Sequence, residues 1–172
     1  MSETLVAISA EQALTETVMA AATVIDTTWA LSITTLTPVV VTSACLMAQQ
    51  AAAIALRAAG DIIPAQAGAT ELMLRAANRE RLPAPHTLPF QSEARQSFDR
   101  MVAARNSYMH PRGETWEVEK RVMGEGLMTA VRIVRHLIII QPIVPNLIPQ
   151  RDVKEFEDNL QTLDDFGDFY AP

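Results

Sequence analysis

The sequence predicts an all-α domain, a bundle of four to five helices. Three observations point that way. Hydrophobic residues fill 49% of the 172 positions but aromatic residues only 5%, whereas strands are ordinarily rich in aromatic and β-branched side chains. Six glycines are few for an all-β domain, which needs many tight turns. Apolar residues also recur at spacings of three and four along much of the chain, the period of a helix with one buried face.

The first such pattern runs from about Ser9 to Leu36, through Leu14, Val18, Ala21, Ala22, Ile25 and Trp29. Thr37-Pro38 is read as a break, because proline suits the first position of a new helix. The second helix, from about Pro38 to Ala59, is apolar nearly all round and belongs at the centre of a bundle or at a dimer interface. Gly60 stops it. No charged residue lies between Asp26 and Arg57, a run long enough to span a bilayer. It carries several threonines, Gln49, Gln50 and Pro38, and lacks basic flanks and aromatic belts. Two buried helices are therefore expected rather than a membrane span.

A short helix is expected over Thr70 to Arg79. Pro83, Pro85 and Pro89 then impose an extended linker with His86 exposed inside it. Ser92 is the expected N-cap of the next helix, which runs through Phe98, Met101, Val102 and Arg105 to about Met109 and is punctuated by Pro111 and Gly113. A long helix follows from about Glu114 to Gln141, acids in its first turn. Pro142, Pro145 and Pro149 end regular structure. The bundle is assigned to residues 1–145. Residues 146–172 are read as a solvated acidic tail, in which Phe156, Leu160, Leu163, Phe166, Phe169 and Tyr170 sit among acids, with at most a turn or two over 152–163.

Charge is uneven. The net charge is −6, but residues 57–135 hold twelve basic against nine acidic residues, about +3, between two acidic ends. This is milder than the footprint of a strongly basic nucleic-acid binder. Cys45 is the lone cysteine, so neither an intrachain disulfide nor a cysteine zinc site is available; in its apolar run it reads as a small buried hydrophobe. The first residues lack a basic stretch of the secretory kind, and a cytoplasmic location is expected.

The chemistry concentrates at residues 105–110, Arg-Asn-Ser-Tyr-Met-His. An arginine gives a permanent cation with bidentate geometry toward phosphate. A histidine takes or gives protons near neutral pH. Together they suit phosphodiester cleavage, in which the 2′-hydroxyl of RNA attacks and negative charge develops on the phosphorane. Five residues on an ideal helix separate Arg105 and His110 by about 140°. The two converge more easily if the helix ends before His110, and Pro111 favours that by pushing residue 110 out of the α region. Neither metal nor cofactor is expected: the three histidines are far apart in sequence, without a His-Glu-x-x-His pattern.

Arg-x4-His, with polar Asn106 directly after the arginine, resembles the signature of the HEPN superfamily, helical proteins that include many metal-independent ribonucleases. The preceding Phe98-Asp-Arg-Met-Val-Ala-Ala, the exit His110-Pro-Arg-Gly-Glu and the apolar helix around Leu46 to Leu56 are similar to that family's core, so the resemblance spans about residues 10–141. It implies a HEPN-like bundle forming a homodimer in which two motifs face each other. It further implies endoribonuclease activity of toxin or defence type on RNA, with an antitoxin or other protein partner and no membrane. Arg105, His110 and Asn106 would be catalytic, with Arg112, Arg100 and Tyr108 binding substrate. One departure is Arg112, which stands where some family toxins carry a modifiable tyrosine; Tyr108, inside the motif, does not replace it. The alternative is a non-catalytic HEPN-like adaptor that binds RNA or a protein, with Arg105 ion-paired and His110 a C-terminal helix cap. His136 is expected to be a core or interface histidine, and Trp116 to pack at the start of the following helix.

Overall fold

The structure, a computed structural model, describes residues 9–28, 33–110 and 117–171. Six α-helices follow one another among these residues: α1 (Ala10–Thr28), α2 (Ile33–Ala58), α3 (Ala69–Ala76), α4 (Ser92–Met109), α5 (Lys120–Val134) and α6 (Val153–Tyr170). A π-helical segment, Arg135–Ile140, prolongs α5. The fold is an all-α bundle. Helices α1, α2, α5 and α6 form a closed ring, each packed on the next, and α4 lies outside against α5 and α2. Short α3 sits on α2 and touches α4.

The core follows from the apolar periodicity. Leu14, Val18, Ala21, Ala22 and Ile25 of α1 are buried, as their spacing predicted. From α2 come Val40, Val41, Ala44, Cys45, Met47, Ala48, Ala51 and Ala52, so a nearly charge-free helix has neighbours on several sides: α1, α3, α4 and α5. Its stretch Thr37–Ala58 is long and apolar enough to cross a membrane, but 61% of its most apolar window is buried within the bundle. Its beginning differs from the reading of Pro38 as a first residue. The helix starts at Ile33, with Pro38 inside it. Proline lacks the N–H that would reach back one turn, and the packing of the remaining helix holds the segment without that bond.

Helices α5 and α6 approach closely through glycine. A Cβ on Gly124 would stand 2.5 Å from the carbonyl oxygen of Gly167, and one on Gly167 would stand 2.7 Å from Met128. On the next face of α5, Gly126 receives Met101 of α4, whose Cβ would be 2.6 Å from any added methyl. Side-chain-free backbone thus lets one helix take a neighbour on each side.

Two ion-pair clusters fasten the periphery. Asp61, its side chain only 7% exposed, takes Arg75 at 2.9 Å and Arg81 at 2.7 Å, tying the α2–α3 connection to the turn after α3. Arg135 at the head of the π segment reaches Asp164 at 2.7 Å and Glu157 at 3.3 Å on α6.

The C-terminal segment corrects the sequence reading. It is not a solvated tail: Val153–Tyr170 is a helix whose Phe156, Leu160, Leu163 and Phe166 are buried against α5 and α1. Those positions step by four, three and three, which is one helical face; the acids occupy the others. His86 also departs from expectation. It is half-buried, with Nδ1 3.0 Å from the carbonyl of Gln141, while His136 Nε2 lies 3.0 Å from the carbonyl of Thr87. The two imidazoles clasp the proline linker to the π segment. The N-cap of α4 is Gln91, without a side-chain bond, rather than Ser92. Helix α5 begins at Lys120, so Glu117 and Glu119 precede it; Glu114 lies outside the described residues.

Candidate functional site at the end of helix α4

The motif occupies the last turn and a half of α4. Phe98 and Met101 anchor the helix in the core, Val102 and Ala104 pack against it part-buried, and the exposed last turn follows. The helix stops at Met109. His110 is its C-cap, with φ −128° and ψ 65°, and its N–H donates to the carbonyl of Asn106 at 3.0 Å. Residue 110 therefore leaves the helical geometry, as the proline after it requires.

The six residues face different ways. Asn106, Ser107, Tyr108, Met109 and His110 are exposed, with Met109 at 52%. Arg105 is half-buried and turns toward α2, where its guanidinium lies beside the Cys45 thiol. Burial pushes that thiol up from its ordinary range, and the hydrogen-bonding and charge of Arg105 oppose the rise without cancelling it. Cys45 is thus the small buried residue the sequence implied, with an added neighbour from the motif. Nothing in the apolar run around Cys45 signalled that contact.

Arg100, read with the motif, belongs elsewhere. Five residues before Arg105, it points to the opposite side of α4 and lines a groove of about 850 Å³ between α4 and α5, floored at one end by the linker around Pro89 and Phe90. Arg121, Glu125, Arg132 and His136 of α5 and the π segment line the same groove. Arg121 holds Glu125 at 2.6 Å, and hydrogen bonding from Arg121, helped by Ser97 and the charge of Arg100, keeps the Glu125 carboxyl below its usual range. Neither Arg105 nor His110 lines this groove. Arg112 and Trp116 lie outside the described residues.

The arrangement can place a cation, an amide and an imidazole at one helix end, with Tyr108 and Met109 presenting apolar surface beside them. Among the described residues, no three potential metal-ligating side chains converge. The chain matches no family model, no curated protein and no solved structure.

Proposed function

We propose that the chain is a metal-independent endoribonuclease of toxin or defence type, acting in the cytoplasm as a homodimer with the end of α4 as half of the active site. The observation that carries this reading is the ending of α4 at His110, which leaves Asn106 and His110 exposed within one and a half turns of Arg105. One proton must leave the 2′-hydroxyl as it attacks phosphorus, and another must reach the departing 5′-oxygen. A single copy offers one exposed motif histidine. Two copies facing each other offer two, one to accept and one to donate, with the arginines stabilising the charge on the phosphorane. Asn106 positions the phosphate or the imidazole. Exposed Tyr108 and Met109 supply apolar surface for the second copy.

The contact of Arg105 with Cys45 favours a second reading, a non-catalytic helical adaptor in which the arginine is structural. One experiment separates the two. RNA is incubated with the protein in EDTA, alongside Arg105→Ala and His110→Ala, with the folding of all three checked by circular dichroism. The enzyme reading expects cleavage by the wild type and a loss of about 10²–10⁴-fold in rate on removing His110. Folded wild-type protein that leaves RNA intact at every pH tried supports the adaptor.

A further inference from the structure

We infer that the α4–α5 groove is the track for single-stranded RNA leading to the motif. This rests on the ribonuclease reading only in taking RNA as the substrate. The groove shares α4 with the motif, and one end of it, at Glu119 and Arg121, lies at the start of α5. From Glu119 to His136 it follows one side of α5 and the π segment for about 25 Å, enough for a strand segment of about four nucleotides.

Its lining suits such a strand. Arg100 and Arg132 stand on facing walls, both exposed. Arg132 makes no ion pair among the described residues, and Arg100 meets Glu125 through charge alone. Arg121 is already engaged by Glu125. Phe90, half-buried and edge-on to Phe98 with centroids 6.0 Å apart, gives the linker end an aromatic side chain of the kind on which bases stack. Phosphate is held by local contact with Arg100 and Arg132 and not by net charge, because the groove's three arginines are matched in number by three carboxylates, Glu93, Glu119 and Glu125. As acceptors they face the amino groups that unpaired bases display.

The test uses the full chain and a fluorescent 2′-O-methyl oligoribonucleotide, which lacks the attacking hydroxyl and stays uncut while anisotropy is read. Arg132→Glu and Arg100→Glu should each weaken binding about tenfold and lower the salt slope by about 0.7 for each phosphate left without its arginine. Arg151→Glu, on a side chain 86% exposed and outside the groove, should leave affinity within twofold. The matching duplex should bind at least tenfold more weakly than the strand. The inference is overturned if both groove variants bind like wild type, if Arg151→Glu weakens binding equally, or if wild type has no affinity for the strand. Cleavage of ordinary RNA is measured in parallel. His110-dependent cleavage with unaffected groove variants overturns the track and spares the ribonuclease; groove-dependent binding with no cleavage does the reverse.

Discussion

Helices α4 and α6 are both eighteen residues long, yet they use their surfaces in opposite ways. Helix α6 buries Phe156, Leu160, Leu163, Phe166 and Gly167 and completes the four-helix ring. Helix α4 buries only Phe98 and Met101, lies outside the ring, and leaves its last turn to solvent. Both are strongly charged, so composition does not separate them. Charge density says little about whether a helix is structural; the regularity of its apolar positions says more. A helix such as α4, anchored at its middle, is free to carry chemistry at its end, because residues 106–110 are exposed and substitutions there leave the core untouched.

That contrast can be broken at several points. The largest effect is expected at Phe166→Ala, which should lower stability by about 3–5 kcal/mol, read from denaturant midpoints; a silent substitution would mean that α6 does not belong to the core. Gly124→Ala comes next. Its methyl would meet the Gly167 carbonyl at 2.5 Å, and the forced separation of α5 from α6 should cost about 1–3 kcal/mol. A smaller effect concerns pH. Burial raises the Cys45 thiol in the folded protein, so as pH climbs past the ordinary thiol range, about 8.5, the unfolded chain loses its proton first and stability falls. Wild type should therefore lose more stability between pH 7 and pH 9.5 than Cys45→Ala does. Equal losses would remove the burial argument. Smallest of all, Met109→Ser should change monomer stability by less than about 0.5 kcal/mol, while weakening self-association seen by sedimentation.

The bundle was legible in the sequence wherever period and punctuation agreed. Helix α4 ends at Met109 as expected, because Pro89 and Pro111 bracket it, and the buried face of α1 matches its spacing. Helix α6 was missed for a physical reason: seven acids among its residues and the lead-in at Asp152 dominate composition, while the face made by Phe156, Leu160, Leu163 and Phe166 gains meaning only once α5 and α1 supply a surface. Pro38 misled in the other direction, since a proline one turn into a helix is tolerated when the rest is packed. At the candidate site the sequence singles out residues to test but not their directions. That Arg105 leans on Cys45 while Arg100 opens into a groove depends on where α2 and α5 lie, and no local pattern encodes it.

Whether the end of α4 is half of a shared site is tested directly by mixing two variants. Arg105→Ala and His110→Ala proteins, each inactive alone, are unfolded together, refolded as a mixture and assayed for RNA cleavage in EDTA. Mixed dimers then hold one intact arginine and one intact histidine, contributed by different copies. Cleavage above that of either component, yet well below wild type because one of the two proton-handling histidines is missing, is the predicted result. A mixture as inactive as its components, beside wild-type controls that survive the same refolding, would contradict the shared site.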